Sequence, residues 1–324
     1  MSSLPPSPES RKIFVGAYAA SPCHSVWDPV AERRYLEGLA ALPDIGGLEI
    51  PFHGSPHRFD TDWFLANLNP DWDYVLTLIP GTMETLAKSP HFGLASRAEK
   101  GRQEALNFAE RALLAVRAIN ARAGRPCVRA VEIHSAPQLG NGIAGSSVEE
   151  FRDSLSELAA WDWQGAELMV EHCDRYIAGQ KPAKGFLSVE QELEAITGAT
   201  PGPTPVSMLI NWGRSALETR DVEEPLRHLR LAREAGRLGG LIFSGCTIED
   251  PLYGHWADSH TPFGGEGTPL ATSLLTKSEV ARCRDAADWD RLPVRGLKMQ
   301  ALPKDLDVAS RVALVQSWVS FLRA

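Results

Sequence analysis

Hydrophobic positions in this chain gather into eight short runs, at residues 12–18, 47–53, 73–80, 127–134, 167–172, 205–211, 241–246 and 296–300. Their length and their enrichment in Val, Ile, Leu and aromatic residues fit buried β-strands. Between them the pattern changes to a helical period. Leu36, Leu39 and Leu42 mark a helix over 28–42, and a short one starts near Asp60. Ala105, Phe108, Ala109, Leu113 and Val116 form the apolar stripe of a long helix over 98–123. Further helices are predicted from Ser147, over 188–197, over 224–236, from Ser278 and over 308–322. Ser147-Val-Glu-Glu150 and Ser188-Val-Glu-Gln191 have capping-box spacing at two of these starts.

Strands that alternate with helices predict βαβ units and a parallel sheet. Eight such units predict a single-domain α/β protein, a (β/α)8 TIM barrel, over residues 11–324, with residues 1–10 as a mobile tail. A doubly wound open sheet would advertise a Gly-rich first turn. Here that turn reads Ala19-Ala-Ser-Pro-Cys-His24. The longest irregular stretch, 249–276, follows the seventh strand and is expected to act as a lid.

Composition adds exclusions. A formal net charge of −8 gives no basic stripe for nucleic acid. No apolar run reaches the length of a membrane span. The five cysteines are scattered without a CxxC pair, which argues against a disulfide framework or a zinc ribbon and for a reducing, cytoplasmic setting.

Candidate chemistry comes from strand parity, since side chains on one face recur every second residue. Glu49 shares a face with Pro51 and His53, Glu132 with His134, and Glu171 with Met169 and Cys173. Asn211, the pair Ser244 and Cys246, and the pair Lys298 and Gln300 end strands six, seven and eight in the same way. If these faces point inward, the polar ends converge where barrel active sites sit. Glu171 stands out, because a buried carboxylate needs a partner. A buried Lys298 likewise needs an anion, such as Glu171, Glu49 or an acidic substrate group. His172, of opposite parity, is expected to face the helices.

Three segments, Gly-Leu-Glu49-Ile-Pro, Val-Glu132-Ile-His134 and Val-Glu171-His-Cys-Asp174, resemble the xylose-isomerase-like barrel superfamily. That group includes sugar isomerases, ketose 3-epimerases, inosose dehydratases and barrel-type abasic-site endonucleases. The stretch 253–260 and Lys298-Met-Gln300 resemble an uncharacterised bacterial branch. The resemblance implies a divalent Mn, Mg or Zn ion held by Glu, Asp, His and Glu on successive strands. Glu171 matches the first Glu. Asn211, Ser244, and Lys298 or Gln300 stand where the other three would be, so Glu171 is the one ligand retained and no cofactor is assigned with certainty. Other donors within reach are Glu49, His53, His134 and the loop set His255, Asp258 and His260.

The function expected is that of a carbohydrate-active enzyme, sugar isomerase- or epimerase-like, abstracting a proton next to a carbonyl. Glu171 is the expected base, His134 or His53 the second proton carrier, and Lys298 with Asn211 the groups that polarise the carbonyl. Arg214 would hold an anionic group on the sugar. Trp212 and Trp256 would stack on it, and Cys246, His255, His260 and Gln300 would line its site. A lyase acting on a keto-sugar, keto-glycoside or inosose is the alternative, and a non-catalytic sugar-binding barrel a third reading. The expected partners are a small sugar or sugar derivative and a second copy of the chain in a homodimer, without nucleic acid or membrane.

Overall fold

A computed structural model describes residues 13–24, 26–139, 145–265, 268 and 270–323. The expected tail, residues 1–10, lies outside them. Eight parallel strands close into a barrel in sequence order, β1 (Ile13–Val15), β2 (Ile45–Pro51), β3 (Asp73–Thr77), β4 (Val128–Ile133), β5 (Glu167–Glu171), β6 (Val206–Asn211), β7 (Leu238–Phe243) and β8 (Val294–Leu297), with β8 pairing β1. Among the described residues, ten α-helices surround it: α1 (Pro29–Ala40), α2 (Thr61–Ala66), α3 (Ile79–Leu86), α4 (Glu99–Ala123), α5 (Val148–Ala159), α6 (Val189–Gly198), α7 (Trp212–Thr219), α8 (Glu224–Glu234), α9 (Lys277–Ala287) and α10 (Val308–Arg323). The predicted single (β/α)8 barrel is the observed architecture.

Local chemistry explains most boundaries. Asp28, Asp60, Ser147, Ser188 and Thr276 each accept an amide hydrogen bond at the start of a helix, and Ser188 with Gln191 completes a capping box. Two helices were not foreseen. The third run breaks at Thr77 instead of extending to residue 80, because Pro80 sits in the first turn of α3. The sixth run passes straight into α7, whose N-cap is Asn211. Strand β7 starts three residues earlier than its apolar run. Gly239 and Gly240 are strand residues here, and a Cβ on them would stand 2.2 Å from Ser207 Oγ and 2.7 Å from Leu209 Cδ1. They let β6 and β7 approach where larger residues would collide.

Inside the barrel, one apolar floor is built from Phe14, Val75, Ala130, Met169, Leu209, Ile242 and Val294. The opposite strand faces, including Val15, Leu48, Leu76, Val131, Val170 and Ile210, join the helices in a much larger outer core. Period-two alternation therefore separates two apolar layers across the barrel wall.

That alternation also places His172 outside the wall, as parity predicted. It is fully buried between α6 and α7. Its Nδ1 donates to Glu192 Oε2 at 2.7 Å and its Nε2 to Glu218 Oε2 at 3.0 Å. Ser135 donates to the other oxygen of Glu192, and Arg175 to the other oxygen of Glu218. Burial works against a charge on the ring, but the two carboxylates prevail and hold His172 up to about 10. It is an imidazolium clamped between carboxylates, pinning β5 to two helices. Donor atoms of His172, Glu218 and His228 lie close enough for a metal ion. Both ring nitrogens of His172 already donate to carboxylates there, so an ion would have to displace a proton to bind.

A group raised from 6.5 to about 10 contributes stability that is full below pH 6.5 and lost as pH rises through about 10. His172→Gln should therefore cost about 3–5 kcal/mol near neutral pH, with the gap closing toward pH 10. Urea unfolding of both proteins across that window measures it. A gap that stays constant with pH would mean the ring is neutral.

Candidate active site

The upper barrel layer begins where the apolar floor ends. Tyr18 follows β1, Glu49 lies on β2, Thr77 and Glu132 on β3 and β4, Glu171 and Asn211 end β5 and β6, and Ser244 and Lys298 follow β7 and β8. Each is buried or nearly so. These positions continue the parity of the floor residues, which is why a polar layer sits directly above an apolar one.

Lys298 is the centre of the layer. Its Nζ lies 2.6 Å from Glu49 Oε1 and 3.5 Å from Glu171 Oε1, with the side chain wholly buried. Gly16 makes room for it: a Cβ there would stand 2.8 Å from Lys298 Cγ. Burial works against the ammonium, but Glu171 and Glu49 hold it charged, well above the ordinary lysine value.

Glu171 gathers further donors. Arg214 Nη1 stands 2.6 Å from its Oε2, His134 Nε2 donates to Oε2 at 2.9 Å, and Asn211 Nδ2 donates to Oε1 at 3.1 Å. Burial alone would raise Glu171. Arg214, Lys298 and the His134 bond reverse that and hold it well below the usual carboxylate range. Burial lowers His134 to about 4 despite the Glu171 bond, so its ring is neutral.

Arg214 carries the network outward. Its Nε lies 3.3 Å from Asp258 Oδ2, which also meets Lys184 Nζ at 3.0 Å. Lys184 and Arg214 outweigh burial and keep Asp258 ionised. His260 Nδ1 is 2.7 Å from Ser244 Oγ and 3.4 Å from Asp258 Oδ1, and burial lowers it to about 3. Three cations, Lys298, Arg214 and Lys184, thus face three anions, Glu49, Glu171 and Asp258.

The segment 249–276 supplies Asp258 and His260, and it is tied down. Gly245 bridges Thr261 and Thr247 bridges Ser273, while Asp250 accepts from the amides of Leu252 and Tyr253 and from Thr272 Oγ1. The backbone N–H of Gln300 donates to the His260 carbonyl at 2.7 Å, and its backbone carbonyl accepts from Tyr253 Oη at 3.2 Å.

Glu49 differs from Glu171. Lys298 and Tyr18 Oη both approach Oε1, Tyr18 at 3.2 Å, and among the described residues Oε2 has no hydrogen-bond partner. Burial raises Glu49 above its ordinary value, opposed by Lys298 and reinforced by Glu171. Glu132 is raised further, by burial and by its neighbours Glu49 and Glu171, so it is a neutral acid inside the wall. Burial also keeps Tyr18 protonated, far above its ordinary value.

Several expected site residues fall elsewhere. Trp212 and Cys246 are fully buried in the outer core, so neither reaches the mouth. Trp212 follows Asn211 and takes the opposite parity, and Cys246 lies past the end of β7, where strand alternation no longer holds. Burial pushes the Cys246 thiol up to about 12, which makes it inert. Arg214 is not free for a substrate anion, since Glu171 and Asp258 already occupy it. His53 has Nδ1 3.1 Å from Glu84 Oε1 and lines a cavity together with Tyr18 and Glu49. His255 is exposed, and Trp256 is half-buried with a left-handed φ of 42°. Sequence reasoning missed Tyr18 and Lys184. Tyr18 was within reach, since Phe14, Gly16 and Tyr18 share one parity; Lys184 lies in an irregular segment with no periodic signal.

The donor set does not fit a divalent ion at Glu171. Asn211, Glu171 and Lys298 converge as expected, but an ammonium and a guanidinium already cover the carboxylate, and Ser244 turns to His260. A hard cation needs several anionic oxygens facing a common point.

Comparison with known proteins agrees with the fold. A crystal structure of the IolI protein with a bound zinc atom superposes with a TM-score of 0.61 at 13% identity, covering 96% of this chain and 97% of that one. A D-psicose 3-epimerase solved in the presence of D-fructose gives 0.59 at 14% identity, with coverage of 96% and 97%. The D-psicose 3-epimerase of Clostridium cellulolyticum, solved with D-tagatose, gives 0.54 at 13%, covering 90% and 92%. At such identities the likeness shows a shared (β/α)8 barrel fold. An uncharacterized protein of Salmonella typhimurium, STM3670, is 34% identical over 312 residues, 96% of each chain. The family model described as a domain of unknown function, DUF4862, matches residues 14–314, and the chain belongs to that family.

Proposed function

We propose that this protein is a carbohydrate-active barrel enzyme that moves a proton at the carbon next to a sugar carbonyl, with the Lys298 ammonium as its electrophile. The observation that carries this reading is the buried Glu49–Lys298–Glu171 arrangement at the mouth end of the barrel. One fixed cation lies between two carboxylates whose environments push their proton affinities in opposite directions. Such a split assigns acid–base roles. Sugar-processing neighbours with the same barrel, the two D-psicose 3-epimerases, support a sugar-type ligand.

In this reading the base is Glu49, whereas the sequence led to the expectation of Glu171. Glu171 is surrounded by donors that stabilise its charge and weaken its basicity. Glu49 retains an unpartnered oxygen and a raised proton affinity. Its Oε2 takes the proton from carbon, the C–H electron pair shifts toward the carbonyl, and the new oxyanion is held by Lys298 Nζ. Returning the proton to the former carbonyl carbon, while the neighbouring hydroxyl proton passes to the oxyanion oxygen, gives an isomer; protonation of the original carbon on its other face by a proton from solvent, with Glu49 keeping the one it removed until turnover ends, gives an epimer. Tyr18, hydrogen-bonded to Glu49 and protonated, would hold that base in orientation. Glu171 acts by positioning Lys298, Arg214 and His134. Expulsion of a β-substituent from the same intermediate would make the enzyme a lyase, and product mass separates the two outcomes.

Incubation of D-fructose, D-psicose and D-tagatose with the protein in deuterium oxide tests this reading by nuclear magnetic resonance. Wild type should exchange a carbon-bound hydrogen. Glu49→Gln should reduce the rate about 10²–10⁴-fold, and Lys298→Met about 10²–10³-fold. Glu171→Gln should instead lower stability and leave part of the exchange. Full exchange in Glu49→Gln with none in folded Glu171→Gln would return the base to Glu171. Tight sugar binding without exchange in wild type would establish a binding protein.

A second prediction follows from the space around the ammonium. Gly16→Ala puts a Cβ 2.8 Å from Lys298 Cγ, and should destabilise the fold by about 1–3 kcal/mol and slow exchange together. Thermal unfolding and the exchange rate measure both. Unchanged exchange would show that the position of Lys298 is not critical.

A further inference from the structure

We propose that the cavity beside the barrel mouth is a subsite for a flat apolar substituent, such as an aryl ring, carried by the sugar. For the place of the sugar itself this inference rests on the proton-transfer reading above. The cavity has a volume of about 180 Å³. Leu36, Leu48, Ile50, Trp63 and Phe64 make most of its lining apolar, Tyr18 and Glu49 connect it to the charged layer, and Glu32, His53 and Arg58 are among its polar members. A binding site for one reacting group and one apolar group would have this polarity.

The aromatic wall is braced rather than loose. Trp27 meets Trp63 edge to face at 5.0 Å and stacks on Phe59 at 5.5 Å. His57 stacks on Phe64 at 5.8 Å with an interplanar angle of 7°. His57 Nδ1 accepts the Asp60 amide at 3.1 Å, and burial keeps the ring neutral. The wall therefore presents ring faces and edges that hold their orientation through mutual contact.

The ligand class follows from what the walls can satisfy. A bare sugar here would turn some of its hydroxyls toward Leu48, Ile50 and Phe64, which offer no hydrogen-bond partner, and an unpaired buried hydroxyl is costly. An apolar ring placed against those residues leaves no polar group of its own unpaired. The volume is also adequate, since a dry apolar cavity of about 150 Å³ is enough to take up benzene. At the shared end, the substituent would point away from Glu49 Oε2, leaving the sugar carbon next to that oxygen.

Phenol, phenyl β-D-glucoside and glucose are the probes. Binding is followed by calorimetry and by the indole N–H resonances, with Trp63→Phe identifying the Trp63 signal. Phenol alone should shift the Trp63 resonance. Phenyl β-D-glucoside should bind about tenfold more tightly than glucose, the value of one aryl ring placed against this wall. Trp63→Ala should abolish that preference. Leu36→Trp, which fills the space instead of emptying it, should block phenol and guards against a Trp63 variant that fails to fold. The proposal is overturned if phenol leaves Trp63 unshifted in wild type, or if it binds equally well to Leu36→Trp. Phenol binding here while Glu49→Gln keeps full exchange would uphold the subsite and sink the proton-transfer reading. Loss of exchange in Glu49→Gln with no phenol binding would do the reverse.

Discussion

A lysine ammonium buried inside a barrel is the constraint on which the rest of this structure depends. Removing an isolated ion from water costs several kcal/mol even after relaxation. Lys298 is wholly buried, so its neighbours must compensate. Glu49 and Glu171 do so directly, but they bring in one more negative charge than Lys298 offsets. Arg214 supplies the next positive charge, Asp258 answers Arg214, and Lys184 answers Asp258. One buried cation at the end of β8 thereby fixes the start of α7, part of the segment after β7, and the loop after β5. Gly16 is required by the same ion for a steric reason.

Strand β5 shows how this cost is contained. Its last residue, Glu171, points into the barrel, and the next, His172, points out. Each meets its own counter-charges on its own side of the wall. Inside, a carboxylate is surrounded by cations; outside, an imidazolium is surrounded by carboxylates. The two networks are separated by the pleat of one strand, so neither has to satisfy the other. An imidazolium with a counter-ion on each nitrogen serves rigidity, whereas a carboxylate with an unpaired oxygen, as at Glu49, keeps a lone pair uncommitted.

The legible part of this architecture was whatever obeyed a period. Alternating runs placed all eight strands, and parity placed Glu49, Glu171, Asn211, Ser244 and Lys298 on one interior face. Boundaries moved where glycine or proline had a role the pattern does not reveal: Gly239 and Gly240 as strand residues under close packing, Pro80 as a helix start. Cys246 went wrong because parity was carried past the end of a strand. Arg214 read as available because periodicity reports burial and not pairing; its partner Asp258 lies 44 positions on, in a segment with no period at all. The aromatic wall was equally invisible, since Trp27, His57, Phe59 and Trp63 come together only through the loops after β1 and β2.

Replacing metal ligands by an ammonium changes what kind of ligand a barrel can admit. A divalent ion at the mouth binds through oxygens and favours substrates able to present several at once. Lys298 offers a single positive centre fixed by two carboxylates, enough to steady one oxyanion but poor at gripping a polyol. Binding energy must then come from elsewhere on the ligand. In this chain the cavity that reaches Glu49 is lined mainly by apolar residues, Leu48, Ile50, Trp63 and Phe64 among them, with Glu32, His53 and Arg58 among its polar members. With Lys298 as the proposed electrophile, the charged layer and the aromatic wall would answer one requirement, that of orienting a carbonyl without holding the whole sugar.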